Sequence, residues 1–280
     1  MTALAAREHL IESLIPRYGE GEAKALARIV FEDAFDRGRA FDPERFEAIQ
    51  TRLLAGEPVQ YVLGMADFWG LQFKVGPAVL IPRQETEELV AWVLEHLKSS
   101  ALDAISLLDI GLGSGCIGIT LKKKMPAISL FGLEKSPEAL AIAFENANRI
   151  LGPSTHTFIL GDILNRADWA QFAALDVVVS NPPYIPHVEK SLMPDHVLAH
   201  EPALALFVDD PDPLLFYRVI ADFCSEKLHP GAALFFECNE FNAPEVAAML
   251  REKGFEQVEI RKDLAGADRM LRAIRGLTRG

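Results

Sequence analysis

The chain has 280 residues, 50% of them apolar, and a formal charge of −12. Such a length suits one large domain plus a small one, each burying its own core. The acidic balance excludes a broad, sequence-independent grip on a phosphate backbone, which needs clustered Lys and Arg. Cys116, Cys224 and Cys238 lie far apart without metal-ligand spacing. Neither a disulfide framework nor a structural zinc is therefore expected, and reduced cysteines fit a cytoplasmic protein. Arg7, Glu8 and Glu12 interrupt any signal-peptide core at the start, and no apolar run long enough to span a bilayer occurs, so neither secretion nor membrane insertion is expected.

Residues 3–15, 22–36 and 43–55 carry apolar side chains at three- and four-residue spacing, as in Leu26, Ile29, Val30 and Phe35, which predicts amphipathic helices. Gly19, Gly21, Gly38 and Gly56 punctuate them, and Asp42-Pro43 is a good helix start. A small all-α domain is expected over 1–64. Alternation and turn residues from Phe68 to Leu80 favour a hairpin, giving a connector over 65–84. Phe68, Trp69 and Phe73 are read as hairpin core rather than a base-stacking platform, because few cations accompany them.

The rest, 85–280, opens with an apolar helical face over Glu85–Leu97. Strand-like runs follow at Ser106–Ile110, Leu130–Leu133, Phe158–Leu160, Asp176–Ser180 and Ala232–Glu237, separated by helix-length segments. That alternation predicts parallel strands joined by crossover helices, a doubly wound α/β domain. Phe255–Arg261 and Asp268–Ala273 have no helix between them and should form an antiparallel edge hairpin. Asp209 to Asp212 read as an exposed acidic turn, and His156, His187, His196 and His200 as surface or cap residues.

Asp109-Ile110-Gly111-Leu112-Gly113-Ser114-Gly115 places a glycine-rich turn between a strand and a helix, where a ligand can approach the backbone. The next strand ends in Glu134, where a carboxylate can accept both ribose hydroxyls. Two other readings stay open: a purely structural turn, and a dinucleotide site whose third glycine would fall on Cys116. The G-x-G-x-G spacing resembles the S-adenosylmethionine motif instead. Asp162 in Gly161-Asp162-Ile163 could meet the adenine amine or equally cap a helix, and Ile163 offers an apolar surface.

Asn181-Pro182-Pro183-Tyr184 follows a strand at the sheet end where open α/β folds bind ligands. A planar amide attacks a methyl sulfonium poorly unless acceptors hold its N–H bonds. The Asn181 side-chain carbonyl and the Pro182 backbone carbonyl can supply two, with consecutive prolines fixing their alignment and Tyr184 packing on the flat group. The string resembles the signature of enzymes that methylate adenine N6, cytosine N4 or glutamine N5.

Gly56-Glu57-Pro58-Val59-Gln60-Tyr61, Phe68-Trp69-Gly70, Leu80-Ile81-Pro82-Arg83, Glu85-Thr86-Glu87 and Glu201-Pro202, taken with Asn181–Tyr184, resemble the release factor glutamine methyltransferases, the HemK/PrmC family. The resemblance runs from about Gly56 onward. It implies a Rossmann-like methyltransferase domain behind a helical domain that grips the substrate, and S-adenosylmethionine held by Asp109, Gly111, Leu112, Gly113, Ser114, Gly115, Glu134, Asp162, Ile163 and Asn181. It implies methylation of the Gly-Gly-Gln glutamine of class-1 peptide chain release factors, with Asn181, Pro182, Pro183, Tyr184, Arg83 and Glu201 at the substrate. A monomer with no metal and no stable nucleic-acid partner is expected. Glutamine methylation of a ribosomal protein and nucleic-acid N-methylation are the alternatives. Leu112 stands where a threonine is more usual and Glu134 where an aspartate is. Glu237-Cys238-Asn239 stands where some members have a histidine and receives no role.

Overall fold

Helix α1 (Ala3–Val30) begins where Thr2 Oγ1 accepts the Ala5 N–H, and it breaks at Gly19, whose φ of 77° and ψ of 165° are not helical. The two helices predicted at 3–15 and 22–36 are thus present as the two halves of this element, meeting at Gly19. Its second half runs into a π-helical turn, Phe31–Phe35. This computed structural model describes residues 2–35, 41–99, 104–208 and 211–277, so Gly38, Asp209 and Asp210 lie outside the described residues. Helix α2 (Pro43–Leu54) starts as expected, with Asp42 Oδ1 accepting the N–H groups of Glu44 and Arg45. Short α3 (Val59–Leu63) closes the helical layer. One apolar cluster, including Leu10, Leu14, Val30, Phe46 and Leu53, fills it.

Next come β1 (Met65–Phe68) and β2 (Leu71–Lys74), an antiparallel hairpin that starts before Phe68 and ends well before Leu80. Phe68 and Phe73 are buried, as predicted for hairpin core. Helix α4 (Gln84–Lys98) leads into β3 (Ile105–Ile110), α5 (Cys116–Lys124), β4 (Ile128–Glu134), α6 (Pro137–Leu151), β5 (His156–Leu160) and β6 (Leu175–Ser180). After two-residue β7 (Ile185–Pro186), α7 (Asp195–His200), α8 (Ala203–Leu206) and β8 (Phe207–Val208), the chain forms α9 (Leu215–Lys227), β9 (Leu228–Glu237), α10 (Ala243–Glu252), β10 (Phe255–Lys262) and β11 (Asp268–Arg275).

Seven strands make the main sheet in the order β10-β11-β9-β6-β3-β4-β5. β3, β4, β5, β6 and β9 are parallel, while β11 runs antiparallel to both β9 and β10. The predicted Rossmann-like sheet with an antiparallel edge hairpin is present. Alternating side chains serve opposite faces: Leu107, Val177, Val179 and Phe235 join the core under α4, α5 and α6, whereas Leu108, Val178, Leu234 and Phe236 join the core under α9 and α10. From β3 the chain moves to β4 and β5 on one side, then returns to β6 on the other, so the topology switches between β3 and β6. Ligands of open α/β sheets bind at the strand ends beside such a switch. Among the described residues no helix is long and apolar enough to cross a membrane.

Candidate active site

A cleft of about 580 Å³ opens at the switch, over the carboxyl ends of β3, β4 and β6. The glycine turn after β3 forms one wall. Gly111 and Leu112 donate their N–H groups to the Leu133 carbonyl at 2.9 and 3.3 Å, and Gly113 donates to Glu134 Oε2 at 2.8 Å. These N–H groups therefore clamp the turn to the end of β4. A side chain at Gly111 would meet nothing within 4 Å, so the backbone there is open to a close ligand. Gly115 differs: its φ is +79° and a Cβ would lie 2.5 Å from Ile119 Cδ1, so it serves the start of α5. Asp109 lies beneath the turn, 1% exposed, with Oδ2 accepting the Gly118 N–H at 2.9 Å. Burial pushes its carboxyl up to about 8 against the pull of that N–H, and the nearby Glu134 adds to the rise. Of the residues expected at the cofactor, Gly111, Leu112, Gly113, Ser114, Glu134, Asp162, Ile163 and Asn181 line the cleft, while Asp109 and Gly115 support it from below.

Glu134 is 8% exposed and accepts two backbone N–H groups, Gly113 on Oε2 and Ser136 on Oε1 at 2.9 Å. A carboxylate offers about four lone-pair sites, so acceptor capacity remains for a diol. Asp162 accepts the Leu164 N–H at 2.9 Å and pairs with Lys135 at 2.8 Å. It is not the cap of the following 3₁₀ turn; Asn165 takes that position. Ser180 Oγ donates to the Ile110 carbonyl at 2.7 Å and locks the ends of β3 and β6 together.

Asn181, Pro182 and Pro183 leave β6 directly into the cleft. Tyr184 does not line it: the ring is half-buried against the core beneath α9 and α10, and burial pushes its phenol well above the ordinary range. Arg83 and Glu201 meet each other, with Arg83 Nη2 2.5 Å from Glu201 Oε1. Arg83 reaches the cleft lining, and Glu201, 1% exposed at the side chain, stands behind it.

Two sets of contacts escaped the sequence reading. Asn146, fully buried on α6, accepts the Lys74 N–H at 2.7 Å and donates to the carbonyls of Lys74 and Ser114, both at 2.9 Å. It docks the hairpin onto the glycine turn. Its signal was one amide on the otherwise apolar face Ala139-Ala143-Ala147. Thr86 Oγ1 lies 2.6 Å from buried Glu237 Oε2 and 3.5 Å from Asn181 Nδ2. Glu87 and Glu88, expected with Arg83 and Glu85 at a domain junction or active-site rim rather than on a solvated helix face, accept the backbone N–H groups of Trp69 at 2.6 Å and Leu264 at 3.1 Å, tying both hairpins to α4. Facing the turn, Pro202, Ala203, Leu204, Phe216 and Ile220 give the cleft an apolar wall. No group of three His, Cys, Asp or Glu side chains able to hold a metal occurs among the described residues.

The family profile described as "Methyltransferase small domain" matches residues 85–204. A release factor glutamine methyltransferase of Flavobacterium psychrophilum is 39% identical, covering 95% of this chain and 96% of that protein. One from Bacteroides thetaiotaomicron is 40% identical, covering 95% and 98%. Among solved structures, the hMettl16 catalytic domain superposes with a TM-score of 0.59 at 13% identity, covering 84% of this chain and 81% of that one. A methyltransferase from Pyrococcus furiosus gives 0.52 at 17% identity, covering 81% and 98%. These structural likenesses carry the fold, and the sequence relatives carry the family: the chain is a methyltransferase and belongs to the release factor glutamine methyltransferase family.

Proposed function

We propose that the protein transfers a methyl group from S-adenosylmethionine to the side-chain amide N5 of the Gly-Gly-Gln glutamine in class-1 peptide chain release factors, acting as a monomer in the cytoplasm. The observation that carries this reading is one cleft in which the open glycine turn, the Glu134 carboxylate and Asn181-Pro182-Pro183 meet. Gly111 and Gly113 leave room for the cofactor against the backbone, Glu134 takes the ribose hydroxyls, and Asp162 and Ile163 sit at the adenine. S-adenosylmethionine supplies a methyl group on a sulfonium, an electrophile with a good leaving group.

The protein's part is to orient a poor nucleophile. An amide nitrogen shares its lone pair with its carbonyl, so it attacks well only when its plane is fixed. The Asn181 side-chain carbonyl and the Pro182 backbone carbonyl accept one N–H each, and the two prolines keep those acceptors in line. The nitrogen loses its proton to water once the new bond forms, so no side-chain base is needed. The apolar wall of Pro202–Ala205 excludes water and faces the small Gly-Gly segment. The helical unit before the hairpin supplies a separate surface for the folded release factor.

Labelled S-adenosylmethionine offered with a release factor, a ribosome fraction and DNA tests the reading. Label in the release factor alone is expected; label confined to ribosomal protein or DNA overturns it.

A further inference from the structure

β9 ends at Glu237, followed by Cys238 and Asn239, and Glu237 is 2% exposed. Its carboxylate forms no ion pair among the described residues. Its partners are the Thr86 hydroxyl at 2.6 Å and the Asn181 side chain. The hydrogens in this chain are fixed by chemistry. An ionised carboxylate has no hydrogen to give, so Thr86 must donate its only one to Glu237. The Thr86 oxygen then offers only lone pairs to Asn181, and the amine Nδ2, at 3.5 Å, is the one Asn181 group that can donate to them. With the amine turned inward, the carbonyl Oδ1 faces the cleft.

We propose that Glu237 is a positioning residue for methyl transfer: ionised, it acts through Thr86 and by its own contact with the Asn181 side chain to hold the Asn181 amide with its carbonyl toward the substrate; protonated, it lets that amide turn over. The inference rests on the role given to Asn181 above. A carboxylic acid can donate to Thr86, whose own hydrogen then points at Asn181 and attracts the carbonyl. The amine would face the cleft and oppose the N–H groups of the substrate amide.

The surroundings put this switch in the physiological range. Burial pushes the Glu237 carboxyl up to about 7, held back by the bond from Thr86, by Arg269 on β11 and by Asn181, while Glu85 on α4 raises it. Arg269 is itself engaged by Asp263 at 3.1 Å. From α9, Tyr217 donates to the Glu237 backbone carbonyl at 3.2 Å. Tyr184, Cys116 and Cys238, the other titratable groups that sense Glu237, have their pKa values pushed up by burial and stay neutral near pH 7.

The test uses full-length wild type, Glu237→Gln, Thr86→Val and Thr86→Ser. Asn181 side-chain amide resonances are followed by ¹⁵N NMR in the protein alone, and single-turnover methyl transfer is followed at saturating cofactor. Between about pH 8 and about pH 6 the wild-type rate should fall about tenfold, as the ionised fraction of a group titrating near 7 does, and the Asn181 resonances should move with the same midpoint. Glu237→Gln should flatten both profiles. Thr86→Val should cost about tenfold or more in rate with cofactor affinity kept, and Thr86→Ser should recover most of it. An acid limb unchanged in Glu237→Gln, or Asn181 resonances that do not titrate in wild type, overturns the inference. Should Glu237→Gln not fold, a Thr86→Val protein with the wild-type rate overturns it equally. Titrating Asn181 resonances in a protein that methylates no release factor support this inference and contradict the substrate reading, so the two failures are distinguishable.

Discussion

Arg83 Nη2 and Glu201 Oε1, 118 residues apart in sequence, lie 2.5 Å from each other at the cleft mouth. Glu201 also accepts the Ile81 N–H at 3.3 Å, so one buried carboxylate fastens the segment before α4 to the loop after α7. Arg83→Ala strands that carboxylate. Breaking a fully buried pair costs about 3–5 kcal/mol, and the 36% exposure of Arg83 reduces this to about 2 kcal/mol. Glu201→Gln, which keeps an acceptor without the charge, should cost less. Denaturant melts of the three proteins check the order, and an Arg83→Ala protein as stable as wild type would remove the strut.

Glu134 has two tasks, holding the Gly113 N–H and receiving the cofactor. Glu134→Ala should weaken S-adenosylmethionine binding by about 1.5–3 kcal/mol, roughly tenfold to a hundredfold in dissociation constant, with the fold retained. Glu134→Gln should lose less, since its amide oxygen can still accept the Gly113 N–H. Calorimetry with S-adenosylmethionine, its demethylated product and NAD reads this directly. Micromolar NAD binding without a response to the other two would mean that the turn serves a dinucleotide.

Stability of the ligand-free protein should fall as pH rises above neutrality. Burial raises Asp109 to about 8 and Glu237 to about 7, so the folded state binds protons that the unfolded chain has already released. Such a contribution is fully present below the ordinary carboxylate range and is lost as pH rises through the folded values. Cys116, Cys224 and Cys238, all pushed up by burial, act with the same sign. Between about pH 7 and about pH 8.5 the loss should be about 1–2 kcal/mol. The lowered pKa values of His96 and His156 act only at more acid pH. Melting temperatures that rise across this window would mean that Asp109 and Glu237 are ionised well below neutrality.

The helical unit offers a cut. A boundary at Gly64 falls just after α3 and removes it with the helical unit, although α3 faces both ways: Val59 and Val62 enter the helical core, while Tyr61 enters a cluster with Val75, Val79 and Ile81 and donates its hydroxyl to the Val79 carbonyl at 2.6 Å. Val79 lines the cleft. Deleting residues 1–56 should therefore preserve cofactor binding while sharply reducing methylation of intact release factor, whereas deleting 1–64 should weaken both. Equal methylation by the shorter truncation and full length would assign recognition elsewhere.

Much of this architecture was legible because it rests on local patterns. Strand–helix alternation announced the parallel sheet, the two consecutive terminal strands announced the β10–β11 hairpin, and Asp42-Pro43 marked its helix start. The glycine turn stood out because its backbone has positive φ at Gly111, Gly113 and Gly115, and Asn181 because two prolines and a tyrosine follow it at a strand end. The partners of those residues did not. Thr86 is 151 residues from Glu237, and Asn146 is 72 from Lys74, so nothing local marks either contact. Tyr184 shows the converse: its place in a functional string suggested contact with substrate, but its ring packs, half-buried, against the core and does not line the cleft.

The central claim is that Asn181 orients a glutamine amide for methyl transfer. Single-turnover reaction with a release factor, with the modified residue located by mass spectrometry, tests it most directly. Losing one preorganised hydrogen bond in a site closed to water costs about 2.7–4 kcal/mol of transition-state stabilisation, so Asn181→Ala should be roughly a hundredfold to a thousandfold slower. Its cofactor affinity should stay near wild type, because Gly111, Gly113 and Glu134 are untouched. The methyl should appear on the Gly-Gly-Gln glutamine alone; a near-wild-type rate for Asn181→Ala, or methyl on any other residue, would contradict the account.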